Sequence, residues 1–207
     1  MPARMWSALI AAAMMAAALM SAASAQDPSR AEKLRSAVFA GGCFWCVEEA
    51  FDKVPGVTDT TSGYTGGTVV NPTYEEVAQG GTAHAEAVMV RFDTSKVSYE
   101  TLLDIFWRNI DPFDAGGQFC DRGGSYRSAI FYNGEKQRVM AEESMKAVEA
   151  RLGKPVVTKI ERLGPFYPAE TYHQNYHHEN PIRYKFYKWN CGRAQRLEEI
   201  WGPPKRS

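Results

Sequence analysis

The chain has 207 residues, with 24 basic and 24 acidic side chains and a formal charge of zero. That length suits one domain with appendages, and the lack of a basic surplus argues against nucleic acid as the main partner. An apolar fraction of 44%, with 12% aromatics, excludes a disordered chain and predicts a soluble globular protein with a sizeable core.

The first 25 residues read as a leader. Arg4 supplies a positive charge, an apolar run extends from Met5 to Met20, and Ala23-Ser24-Ala25 fits the small-x-small cleavage rule. The expectation is an exported, periplasmic protein cut after Ala25. An uncleaved membrane anchor is the alternative, because the run is nearly long enough to span a bilayer. Residues 26–35 form a polar linker, 36–182 the folded region, and 183–207 a C-terminal segment.

Ser36 to Ala40 reads as a buried strand ended by Gly41-Gly42. Cys43 to Lys53 then fits a helix, with Phe44, Val47 and Phe51 on one face and Pro55-Gly56 as its stop. Thr61 to Tyr74 is rich in glycine and turn residues and reads as a loop. Ala83 to Asp93 alternates as a strand, and Ser98 caps a helix carrying Leu102, Leu103, Phe106 and Ile110. Asp114 to Ser125 is another loop, Tyr126 to Tyr132 a strand, and Glu135 to Leu152 a helix closed by Gly153. Val156 to Leu163 is a strand, Gly164 to Pro181 a loop rich in Tyr and His, and Arg193 to Trp201 a charged helix. This mixture predicts an α+β sandwich with helices packed on a largely antiparallel sheet.

Cys43 and Cys46 form a Cys-x-x-Cys in Gly-Gly-Cys-Phe-Trp-Cys, which reads as a redox pair, half a metal site, or one nucleophile with a neighbour. Cys43 falls where a strand turns into a helix, and unpaired N–H groups there favour the thiolate. In the strand after Ala83, Glu86 shares a face with Val88, Val90 and Phe92. It is either a buried carboxyl that keeps its proton and can donate it, or an edge glutamate turned to solvent. No metal is expected, because His177 and His178 are adjacent and the Cys-x-x-Cys lacks a matching pair. Two other readings remain: a thioredoxin-like dithiol–disulfide oxidoreductase using Cys43 and Cys46, and an exported binding module with structural disulfides.

Six motifs occur in order: Gly42-Cys43-Phe44-Trp45, Gly63-Tyr64-Thr65-Gly66-Gly67, Asn71-Pro72-Thr73-Tyr74, Gly81-x-x-His84-Ala85-Glu86-Ala87-Val88, Tyr126-Arg127-Ser128-Ala129-Ile130 and Tyr172-His173-Gln174-x-Tyr176. Together they resemble the type A peptide-methionine sulfoxide reductases over residues 36–182. The resemblance implies a two-layer α/β sandwich around a mixed, mostly antiparallel sheet, ferredoxin-like in arrangement. It implies reduction of methionine S-sulfoxide, protein-bound or free, with no cofactor. Carried over residue by residue, it makes Cys43 the nucleophile and Glu86 the acid. Tyr74 and Tyr126 hold the sulfoxide oxygen, Asp121 organises the site, and Phe44 and Trp45 cage the methyl group.

Resolution of the resulting sulfenic acid falls to Cys191, on a glycine-flanked tail expected to swing to Cys43, with Cys46 as the alternative. Many relatives carry Gly at the position of Cys46, so the pattern departs there. Cys120 is expected to be structural, with redox participation as the alternative. The expected partners are methionine sulfoxide and a thioredoxin-like dithiol, with the membrane met only through the leader, and the chain acting as a monomer.

Overall fold

Leu34–Gly41 (β1) is buried on both faces over its last five residues, which is why its sequence reads as an unbroken run of small and apolar residues. In the computed structural model, residues 33–203 are described. The leader and most of the linker predicted from sequence lie outside the described residues. After β1 come Phe44–Asp52 (α1), Val57–Thr65 (β2), Tyr74–Gln79 (α2), Ala85–Asp93 (β3) and Tyr99–Trp107 (α3). Two short strands follow, Gly117–Gln118 (β4) and Asp121–Arg122 (β5), then Ser128–Tyr132 (β6), Glu135–Leu152 (α4), Lys159–Arg162 (β7) and Tyr167–Pro168 (β8). The chain ends in Tyr176–Glu179 (α5), Pro181–Asn190 (α6) and Arg193–Trp201 (α7).

The six-stranded sheet has the order β7-β6-β1-β3-β2-β8. Every pair is antiparallel except β6 with β7. Its inner four strands, β6-β1-β3-β2, are joined as β1-α1-β2-β3-α3-β6, the split βαβ arrangement named ferredoxin-like. Strands β7 and β8 extend that sheet at its two edges.

Helices α1 and α3 cover one face. Phe39 of β1 stacks there on Phe51 of α1, with ring centroids 5.0 Å apart, and on Phe106 of α3 at 5.2 Å. Trp107 Nε1 donates to Ser144 Oγ at 3.0 Å and joins α3 to α4. The opposite face is smaller in side chain: Val38, Ala40, Ala85, Ala87, Ala129 and Phe131 pack against Leu163 and Phe166.

Three expectations change. Residues Thr61 to Thr65 are not loop: Val57–Thr65 is a full strand that pairs Tyr64 with Glu86, and the loop runs only from Gly66 to Thr73. Its polar, threonine-rich first half lies partly in solvent, so no alternation betrays it. The stretch from Gly164 to Pro181 contains β8, a 3-10 turn at Thr171–His173 and α5. The C-terminal segment is not a free tail. Arg193 is buried and donates to the carbonyls of Gly41, at 3.3 Å, and Asn109, at 2.5 Å. Arg196 pairs with Asp111 at 2.7 Å, and Tyr184 donates to Glu49 of α1 at 2.5 Å. Among the described residues, no helix is long and apolar enough to cross a membrane.

Candidate active site

The site forms where β1 runs into α1. Gly42 has φ +82°, and a Cβ there would stand 2.6 Å from Gln118 Cβ, so only glycine makes this turn. Cys43 is the N-cap residue of α1, and its carbonyl accepts from the N–H groups of Cys46 and Val47. The Phe44 N–H, one of the helix's unpaired donors, is taken by Glu86 Oε2 at 3.0 Å. Glu86 therefore faces the helices with Val88, Val90 and Phe92, and it is 3% exposed. Burial pushes its carboxyl up to about 8, aided by the negative charges of Asp121 and Cys46, while the Phe44 hydrogen bond works the other way. At neutral pH Glu86 holds a proton.

A cavity of about 90 Å³ opens at this junction, lined by Cys43, Phe44, Trp45, Tyr74, Glu86, Asp121, Tyr126 and Tyr187. Seven of those eight were singled out in the sequence, and the structure brings them together from β1–α1, α2, β3, β5 and the 3-10 turn at Gly124–Tyr126. Tyr74 and Tyr126 share a hydrogen bond between their side chains. Burial raises Tyr126 above the ordinary phenol range, with Glu86 adding to it, so its hydroxyl stays a donor.

The aromatic wall is braced from behind. Trp45 stacks on Tyr176 at 3.7 Å, and its Nε1 donates to His173 Nδ1 at 3.2 Å. His173 also packs against Phe44 at 5.0 Å and Tyr74 at 4.5 Å. Burial lowers its pKa, so it serves as a neutral acceptor. Glu170 accepts from the Tyr74 N–H and from the Tyr64 hydroxyl, each at 2.8 Å. Sequence reasoning had no role for Glu170 or His173, although His173 lies in one of the quoted motifs.

Tyr187 is the lining residue that sequence reasoning missed. It projects from α6, donates to Asp121 Oδ2 at 2.5 Å, hydrogen-bonds the Cys43 sulfur, and sets its edge against Trp45 at 5.9 Å. The missed signal was the i, i+3 spacing of Tyr184 and Tyr187, which marks one helix face.

Cys43 and Cys46 are free, buried and hydrogen-bonded to each other. Burial pushes Cys43 up, and the Cys46 hydrogen bond and charge add to that. Cys46 is drawn down to about 6 by the hydrogen bond from Cys43, with help from the Arg193 charge and against burial. The two sulfurs titrate as a unit that loses one proton early and keeps the second. Cys191 is disulfide-bonded to Cys120, with Cα atoms 4.8 Å apart. Cys120 is thus bonded to the residue expected to resolve. His177 and His178, set aside as metal ligands because adjacent side chains diverge, do converge with Asp52, their ligand atoms all lying within 4.8 Å of one another.

The family model described as peptide methionine sulfoxide reductase matches residues 35–205. The chain belongs to that family. The reductase is 53% identical over 174 residues to the peptide methionine sulfoxide reductase MsrA of Bacillus licheniformis, covering 83% of this chain and 96% of that one. It is 51% identical over 173 residues to the MsrA of Bacillus subtilis, with 83% and 98% covered. Among solved structures it resembles methionine sulfoxide reductase A of Corynebacterium diphtheriae, with a TM-score of 0.70 and 34% identity over 72% of this chain and 76% of that one. Reduced Mxr1 of Saccharomyces cerevisiae gives a TM-score of 0.70 at 29% identity, with 75% and 88% covered. The reductase therefore converts methionine S-sulfoxide to methionine. The thioredoxin-like reading gives way, because the matching family model and the solved structure resembled are both methionine sulfoxide reductases.

Proposed function

We propose that Cys43 attacks the sulfoxide sulfur, Glu86 protonates the sulfoxide oxygen, and Cys46 resolves the product. The observation that carries this reading is the enclosure of the Cys43 sulfur and the protonated Glu86 carboxyl in one small cavity, joined through the Phe44 N–H. Near neutral pH the thiol pair holds one proton in its shared hydrogen bond. Moving that proton to Cys46 places the charge on Cys43, so Cys46 acts as the base for its neighbour.

Attack forms a bond between the Cys43 sulfur and the sulfoxide sulfur, and negative charge builds on the oxygen. Glu86 supplies the proton, and the Tyr74 and Tyr126 hydroxyls donate hydrogen bonds to the same oxygen. Transfer of the oxygen to sulfur releases methionine and leaves Cys43 as a sulfenic acid. Sulfur 43 gives up two electrons, and the substrate sulfur gains them. Asp121 and Tyr187 hold the far side of Cys43, and Phe44 and Trp45 enclose the methyl group. Removing the Tyr126 hydroxyl in Tyr126→Phe lowers kcat/KM by about 10² with little change in KM. Steady-state kinetics on a methionine sulfoxide peptide measures this.

The sulfenic acid then condenses with the Cys46 thiol, expelling water and forming a Cys43–Cys46 disulfide. From sequence this step falls to Cys191, with Cys46 as the alternative. The hydrogen bond between Cys43 and Cys46, and the bonding of Cys191 to Cys120, favour Cys46. Cys46→Ser is expected to make one methionine per enzyme and to accumulate a sulfenic acid on Cys43, trapped by dimedone and located by mass spectrometry. Unimpaired recycling in this variant sinks the assignment. A thioredoxin-like dithiol reduces the enzyme afterwards, and both free and protein-bound sulfoxides are substrates. Export by the leader and action as a periplasmic monomer complete the proposal, tested by fractionation of cells expressing the full chain and by light scattering of the purified protein.

A further inference from the structure

At the end of α1 far from Cys43 stands a second group of chemistry-bearing side chains, which the reductase reaction leaves unused. Asp52 closes α1, and His177 and His178 lie in α5. With Cys43 as the N-cap of α1, the whole helix separates Asp52 from the nucleophile, about 13 Å at 1.5 Å per residue. The two imidazole rings have centroids 4.0 Å apart, and one nitrogen of each and a carboxylate oxygen of Asp52 all fall within 4.8 Å of one another. His177 Nε2 is 3.3 Å from Asp52 Oδ2. Two ligand atoms that each stand about 2.0–2.1 Å from one tetrahedral ion are separated by about that much. His178 is exposed, so its ring can turn through the remaining distance.

Both inner ligands are held from behind. Asp52 Oδ1 accepts from the Thr60 hydroxyl at 2.6 Å, which leaves Oδ2 facing His177. The His177 side chain is 7% exposed and turns Nδ1 to Glu48 Oε2 at 3.8 Å. Glu48 is fully buried, and neither its two oxygens nor His177 Nδ1 completes a hydrogen bond. The N–H groups of Asn175 and Tyr176 and the Ser62 hydroxyl face that carboxylate without closing one. Polar atoms buried in this way are costly unless something else uses them. A neutral His177 donating Nε2–H to Asp52 would leave Nδ1 and Glu48 facing each other with no proton between them. With the proton on Nδ1, shared with Glu48, the Nε2 lone pair is presented to an ion, which is the carboxylate–histidine–metal arrangement.

We propose that Asp52, His177 and His178 bind a divalent transition-metal ion of the zinc class, with Glu48 orienting His177. Two imidazoles and a carboxylate suit that class. The fourth position opens on a cleft of about 340 Å³ lined by Asp52, Thr60, Asn175 and His178, wide enough for water. The ion ties the end of α1 to α5. Tyr176 of α5 stacks on Trp45, so the ion steadies the segment that braces the aromatic wall and takes no part in electron transfer.

Calorimetric titration of the purified protein with Zn²⁺, without added thiol and with Cys120 and Cys191 kept oxidised, should show one saturable site. Glu48→Gln weakens it by about 10- to 100-fold, and His178→Ala and Asp52→Asn by at least as much. Cys43→Ser leaves it unchanged, which separates this site from the thiols. Co²⁺ in its place gives the visible absorption of a four-coordinate nitrogen and oxygen set, without a thiolate band in the near ultraviolet. Zn²⁺ raises the Tm of the parent and not that of His178→Ala, whose exposed side chain the fold does not need. Absence of a saturable site, equal affinity in His178→Ala and Asp52→Asn, or loss of binding in Cys43→Ser overturns the proposal.

Discussion

Cys43→Ser is expected to abolish methionine sulfoxide reduction, lowering single-turnover methionine release by more than about 10⁴-fold. The reaction takes two electrons from one sulfur, and a hydroxyl in the same place can neither supply them nor form the sulfenic acid. Geometry offers no substitute. Cys46 is equally buried, but it does not line the cavity, and Cys120 and Cys191 are bonded to each other. The fold should be indifferent to the change, since serine fits the N-cap position at least as well as cysteine. Chromatographic measurement of methionine from reduced enzyme and one equivalent of substrate decides the matter. Turnover above about one per cent of the parent would require a different nucleophile.

Glu86→Gln should be the next most damaging change, slowing the sulfoxide step by about 10² to 10⁴ while leaving substrate affinity nearly constant. Glutamine keeps the shape and can still accept the Phe44 N–H, but it carries no proton to give. The pH profile gives the sharper test. Activity needs the thiol pair singly ionised, which begins near 6, and Glu86 protonated, which ends near 8. The parent should show a bell with its maximum between those values. The variant should lose the alkaline limb and keep the acid one.

Stability shifts in the opposite sense. The folded-state pKa of Glu86 lies above its unfolded value, so the folded state binds the extra proton. Its favourable contribution is complete below about 4.5 and declines as pH rises to about 8. The slower variant should therefore be the more stable one at pH 8, by a few kcal/mol in order of magnitude. Denaturant unfolding of parent and variant at pH 5 and pH 8 measures the difference, which should widen with pH.

Much of the site was legible in the sequence because its signals were local. The Gly41-Gly42-Cys43 junction announces a strand meeting a helix, and alternation along Ala83 to Asp93 puts Glu86 with Val88 and Val90. Tyr74, Tyr126 and Asp121 came from motif resemblance, since nothing in their own spacing joins them to Cys43. What stayed hidden depends on pairing across long stretches of chain. Tyr187 meets Asp121 66 residues away, and Cys191 meets Cys120 71 residues away. Neither separation leaves a periodic trace. Grouping α6 with a free tail concealed both contacts, because its anchors, Tyr184 on Glu49 and buried Arg193 on the Gly41 carbonyl, are also distant. Strand β2 was overlooked for another reason: its hydrogen bonds to β3 carry it, and its side chains contribute little hydrophobic pattern.

The hydrogen bond from Phe44 N–H to Glu86 has one more implication. Donor and acceptor belong to α1 and to a central strand, so the gap between nucleophile and acid is fixed by main chain on one side and by sheet register on the other. When α1 breathes against the sheet, the peptide that carries Cys43 tugs on the acid it must cooperate with. The two reacting groups drift as a couple and keep their spacing through fluctuations that would separate groups mounted on independent loops. Such an enzyme can tolerate variation in its surface connections, and even loosening of its aromatic wall, before its chemistry falls out of alignment.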